Sequence, residues 1–172
     1  MKQSITRKYF LWLALVIFVI FILVVGILTF SGVMLDWAAI LVFVGAVFGS
    51  LVTLLSFIQK QNLEETTLFK QLFTEFNNRY DEMNSDLNRI FIEDTSEELS
   101  LDDLNILYDY FNLCSEEFLF SKRGYIYPEV WKAWSKGIEF YLKNPRIRNL
   151  WEEEEKSDSY YGLTLEIILA GK

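Results

Sequence analysis

Along this chain the hydrophobic pattern changes character once. From Tyr9 to Leu35, and again from Trp37 to Gln59, no charged residue occurs. Each run exceeds the roughly 20 residues that cross a hydrocarbon core about 30 Å thick at ~1.5 Å per residue. The segment SGVMLD, residues 31 to 36, separates them and reads as a tight reversal on Ser31 and Gly32. The pattern therefore predicts a helical hairpin with spans at about 9–30 and 37–58. The first run is too long for a cleaved signal peptide and leads at once into the second, so it reads as a retained span.

Beyond Lys60 the helical period continues, but on one face only. Phe69, Phe73, Phe76, Tyr80, Met83, Leu87 and Ile90 recur at steps of four and three, with Glu65, Lys70, Glu75, Arg79, Glu82, Asp86 and Arg89 on other faces. The second span should thus run on as a long helix that joins a bundle, with a wet neck or a bend near Asn62, Thr66 and Thr67. Aromatic residues dominate its seam, which suits a globular bundle better than a two-stranded coiled coil. EDTSEELS, residues 93 to 100, reads as a polar linker.

Punctuation marks the later elements. Ser100 and Asp103 form a capping pattern, after which Leu104, Leu107, Tyr108, Phe111, Cys114 and Phe118 share a face, with Leu119 at its edge, up to SKRG and its terminator Gly124. Pro128 starts the next helix, with Trp131, Trp134, Ile138 and Tyr141 on one side. Asn144 and Pro145 start another, with Ile147, Leu150 and Trp151 apolar. The tail LTLEIILAG fits a short helix or a strand. The predicted fold class is all-α: a basic flank over 1–8, a transmembrane hairpin over 9–58, and a cytoplasmic bundle of about four helices over 59–172. Phe73, Phe76, Phe111, Phe118, Trp131 and Trp134 are its expected core.

Composition agrees, at 52% hydrophobic over 172 residues. Charge sets the orientation: Lys2, Arg7 and Lys8 precede the first span and Lys60 follows the second, while the loop between holds Asp36 and no Lys or Arg. Both termini should be cytoplasmic in an inner-membrane, multi-pass protein, with Tyr9, Trp12 and Trp37 in the aromatic belts. Ala38, Val42, Gly45, Gly49, Thr53 and Ser56 lie on one face of the second span, and GAVFG is a small-xxx-small motif, so Gly45, Gly49 and Thr53 mark a helix-packing surface. Its partner is either the first span or a second copy of the chain.

Candidate chemistry is sparse. The chain has no histidine, which removes Ser/His and Cys/His nucleophile pairs, and its single Cys114 reads as a buried thiol with no disulfide partner. WEEEEK, residues 151 to 156, points adjacent carboxylates in different directions and suits no single ion. No catalytic constellation, metal site or cofactor is expected. From Gln61 onward there are 12 basic and 23 acidic residues, a net of −11 that argues against nucleic acid as a partner. Within that acidic chain, Lys122, Arg123, Lys132, Lys136, Lys143, Arg146 and Arg148 make a basic stretch interleaved with Tyr125, Tyr127, Trp131, Trp134, Phe140, Tyr141 and Trp151. Either it is a surface for an anionic ligand or partner, by stacking and charge, or the aromatics are core and the cations solvated.

The stretch from Phe111 to Gly162 resembles an uncharacterised family of small bacterial proteins with one or two membrane spans and a helical cytoplasmic domain. The Phe111–Phe118 segment with its acidic pair, YIYPEVWKAW, and the Leu150–Trp151 ending carry the resemblance. The family brings no assigned chemistry; its members look like neighbours of mobile elements or phage defence. Membrane lipid, with a protein partner or a homo-oligomer, is the expected company, and the role is either an effector acting through its hairpin or a tethered scaffold. A probe cysteine placed by Ser159→Cys should resist a membrane-impermeant thiol reagent on intact cells and react after lysis; labelling from outside would reverse the orientation.

Overall fold

The computed structural model describes residues 2–32, 36–93, 96 and 98–171. The expected aromatic anchor Tyr9 and the basic flank have no described side chains, and parts of both expected turns, 33–35 and 94, 95 and 97, lie outside the described residues. All regular structure among the described residues is α-helix: α1 (Lys2–Phe30), α2 (Trp37–Ile92), α3 (Leu101–Lys122), α4 (Pro128–Tyr141), α5 (Pro145–Glu155) and α6 (Leu165–Ala170). The chain divides into two compact units, Met1–Glu64 and Glu65–Lys172.

In the first unit α1 meets the start of α2. Phe21 and Phe43 stack at 5.4 Å, and an apolar groove of about 500 Å³ runs between Ile17, Phe21, Val24 and Val25 on one side and Ile40, Val44, Val47 and Leu51 on the other. Asp36 starts α2 by accepting the Ala38 N–H at 2.9 Å. Hydroxyls within the apolar stretch bond backward along their own helix: Ser50 to Ala46 O, Thr53 to Gly49 O and Ser56 to Val52 O, all within 2.9 Å. No donor is thereby left for a hydrocarbon environment to disfavour. Among the described residues one helix, α2, is long and apolar enough to cross a membrane; the described apolar stretch of α1 is Val16–Phe30, short of a full span.

The second unit is a bundle of the C-terminal part of α2 with α3 to α6. Trp151 is fully buried, edge-on to Phe111 at 4.9 Å and stacked on Tyr160 at 5.4 Å, inside a core that includes Leu87, Ile90, Leu107, Ile147, Leu163 and Ile168. A smaller cluster joins Leu72, Phe76, Leu113 and Ile126. The buried line of α2 is Leu72, Phe76, Leu87 and Ile90, with Met83 half-buried. Phe73 is 38% exposed, contrary to the seam read from the sequence. At roughly 100° per residue, Phe73 sits about 80° round from the centre of that line, whereas Leu72 lies on it. Of the six expected core aromatics, Phe76, Phe111, Phe118 and Trp131 are buried, and Trp134 is only half-buried.

α3 buries more than one stripe. Tyr110, Leu113, Ser115 and Glu117 are buried beside Leu107, Phe111, Cys114 and Phe118, because neighbours pack on several of its sides. Its ends are locally encoded: Ser100 and Asp103 exchange capping bonds at 3.1 Å each, and Gly124 at φ +81° closes a Schellman turn in which Tyr125 N–H reaches Phe120 O. The tail is the helix α6, capped by Thr164 and ended by Gly171 at φ +58°, and it packs on α4 through the buried Ile168. Its apolar residues follow helical spacing, and Ile168 completes a core that a lone strand could not cover. Trp151→Ala should lower the unfolding free energy by about 3 to 5 kcal/mol and Phe73→Ala by about 1 kcal/mol or less, measured by denaturant unfolding of the solubilised chain followed by circular dichroism.

Candidate functional site

Two surfaces were expected to carry function. On α2, Gly45 and Gly49 are exposed, and a Cβ built on either meets nothing within 4 Å. The half-buried residues Ile40, Val44, Val47 and Leu51 face α1 instead. At ~100° per residue the Gly45, Gly49 and Thr53 face lies roughly 170° away from them, on the opposite side of the helix. Within the described residues, therefore, α1 packs on the bulky face of α2 and the small-residue face is open.

The basic stretch does not converge. Arg146 is turned inward, its side chain 9% exposed, and its Nη2 donates to Ile90 O at 2.8 Å. Lys136 bonds Glu139, and Arg148 bonds Glu152 at 2.8 Å. Lys122 lies over the Phe118 ring at 5.6 Å, while Arg123 and Lys132 are exposed. These residues are neighbours in sequence, but they are carried by α3, α4, α5 and the turns after α3 and α4. A surface groove of about 440 Å³ holds Lys143 and Arg148 beside Leu142, Leu165 and Leu169, and none of the other five cations.

The aromatic half of that expectation divides as well. Trp131, Tyr141 and Trp151 belong to the core. Tyr127, Phe69, Phe73 and Trp134 form a continuous row on the surface of the second unit, at ring separations of 4.3, 5.7 and 5.9 Å. Phe69 and Phe73 come from α2, and Tyr127 and Trp134 from α4 and its N-cap. The row could not be read from the local segment, since its two halves lie some 60 residues apart.

Sequence reasoning missed the polar interior. Tyr80 and Tyr141 hydroxyls meet at 3.1 Å, and both reach Asn84 Oδ1, which also accepts from Asn88. Burial pushes the Tyr141 hydroxyl pKa up, and the bond to Tyr80 adds to it. One helical turn apart on α3, Tyr110, Cys114 and Glu117 are all buried. Desolvation raises the Cys114 thiol well above its ordinary pKa, and the nearby Glu117 acts in the same direction, so the thiol stays protonated and poorly nucleophilic. Among the described residues no group of three His, Cys, Asp or Glu is placed to hold a metal. No protein-family model, curated protein or solved structure matches the chain.

The inward arginine has a measurable signature. Arg146→Ala should cost about 1.5 to 3 kcal/mol, because a charged donor to a buried carbonyl is lost, while Arg148→Ala removes only an exposed pair and should change stability by less than about 0.5 kcal/mol. Denaturant unfolding of both variants checks the contrast; equal losses would place Arg146 on the surface.

Proposed function

We propose that this chain is a membrane-anchored helical module of a bacterial inner membrane, in which α1 and the first part of α2 form a two-span hairpin and both termini are cytoplasmic. Its bundle meets a cytoplasmic protein or ligand, and the hairpin assembles with further copies of the chain. A phage-defence effector acting through that hairpin is the concrete form of the proposal; the chain is not an enzyme. The observation that carries it is the open face of Gly45, Gly49 and Thr53, opposite the groove toward α1. In lipid no hydrophobic drive pairs helices, so close backbone approach along small residues is the means of association left to such a face.

A tethered scaffold is the second reading, and the row of exposed Tyr127 and Phe73 with half-buried Phe69 and Trp134 favours it. Such a row offers a partner rigid, amphipathic area at little entropic cost. Expression separates the two: an effector should depolarise the inner membrane and slow growth, whereas a tether should be harmless. Replacing both glycines, Gly45→Leu with Gly49→Leu, should leave insertion intact while abolishing crosslinked oligomers and any growth inhibition. Unchanged oligomers and unchanged toxicity would reduce the hairpin to an anchor.

A further inference from the structure

Asp36 is the only charged residue between Tyr9 and Gln59. Its Oδ1 caps α2 by accepting the Ala38 N–H at 2.9 Å, a role that Asn fills equally well without a charge. The same residue lines the groove of about 500 Å³ between α1 and α2, and among the described residues there it is the one polar side chain. The apolar wall runs from Ile17 to Leu28 on α1 and from Ile40 to Leu51 on α2. On each helix that is about 16 Å at ~1.5 Å per residue, which matches one leaflet, half of a hydrocarbon core about 30 Å thick. Asp36 precedes Ile40 by four residues, about 6 Å farther along, at the depth of the headgroups.

We propose that this groove holds an acyl chain of a phospholipid with a primary-ammonium headgroup, and that the Asp36 carboxylate selects that headgroup. The inference rests on the reading of α1 and the start of α2 as a membrane hairpin, and on the proposed topology the lipid belongs to the outer leaflet. The tail lies along the apolar wall, over the stacked Phe21 and Phe43, and the ammonium donates to the carboxylate. An unfilled groove of this length forfeits dispersion contacts along both helices, so it takes up a chain of matching length.

Charge decides which chain. The apolar stretch of a second copy would bring no cation to Asp36, since between Tyr9 and Gln59 it holds the same single acid, and like charges repel. The ammonium must therefore come from outside the protein. A primary ammonium offers three N–H donors to a carboxylate, whereas a quaternary ammonium offers charge without a donor. An anionic phosphoglycerol headgroup offers neither. The expected order of preference is ethanolamine, choline, glycerol.

The test reconstitutes the full chain in phosphatidylcholine vesicles with a trace of phospholipid bearing a diazirine midway along its acyl chain and ethanolamine, choline or glycerol as its headgroup. After illumination, crosslinked positions are mapped by mass spectrometry. The ethanolamine probe should label the groove walls about five-fold more than the glycerol probe, with the choline probe between them. Asp36→Asn keeps the cap on α2 and should bring the three yields together. Val44→Trp, which fills the groove, should lower all three. Equal yields from the three probes on the wild-type chain would overturn the selection, as would a preference that survives Asp36→Asn; labelling that bypasses the groove walls would overturn the site. The wild-type comparison decides the matter even if a variant fails to fold. Flotation of the vesicles separates this from the reading beneath it: a chain that does not float ends both, and a chain that floats without headgroup preference ends the lipid site alone.

Discussion

The second unit depends on how the C-terminal end of α2 is closed. A helix leaves its last carbonyls without intrahelical donors, and here two of them are met from the N-cap and first turn of α5. Asn144, buried at 4% exposure, donates to Phe91 O at 3.1 Å, and Arg146 donates to Ile90 O at 2.8 Å. Asn144 at the same time caps α5 by accepting the Arg146 N–H. One side chain therefore ends one helix and begins another, and the position of α5 against α2 follows from it. Arg89 tightens the same end by binding both Glu93 and the capping residue Asp103 of α3.

Packing around this closure is aromatic because the helices are short and few. Large rings bury more area per residue than aliphatic side chains, which suits a unit of about 108 residues that must cover the sides of α3. Trp151, Phe111 and Tyr160 fill its centre, and Tyr110 meets Tyr141 edge-on at 5.5 Å. Where hydroxyl groups enter, they are satisfied as a set: Tyr80, Tyr141, Asn84 and Asn88 share their donors and acceptors. Such a network fixes the pairing of α2 with α4 more specifically than apolar contact would. Glu117 stands apart from it, buried on α3, where desolvation pushes its carboxyl pKa up to about 8.

α2 combines two environments in a single element. Its N-terminal part is apolar on every exposed side, with Leu41, Val42 and Val52 at 60% exposure or more, while its C-terminal part buries one stripe and shows charge elsewhere. Neither glycine nor proline interrupts the transition, and α2 is helical without a break through the expected neck at Asn62, Thr66 and Thr67. The small-residue face of the apolar part is open because α1 takes the bulkier side, where Phe21 can stack on Phe43.

Local chemistry was legible in the sequence, and long-range partnership was not. Ser100 and Asp103, Gly124, Pro128, and Asn144 with Pro145 act within four or five residues of themselves, so the ends of α3, α4 and α5 follow from the chain alone. The length and charge of the apolar runs are likewise local properties, and they suffice to mark α2 as able to span a membrane. Periodicity gave a helix over the aromatic seam but misjudged its buried line, since Leu72 and Phe73 differ by one residue and only the position of α3 and α4 selects between them. Arg146 looked like its neighbours in a basic stretch until the end of α2, more than fifty residues earlier, supplied the carbonyl that draws it inward. The same holds for Glu117: beside Glu116 in sequence it is an ordinary helix acid, and tertiary packing buries it while leaving Glu116 partly exposed.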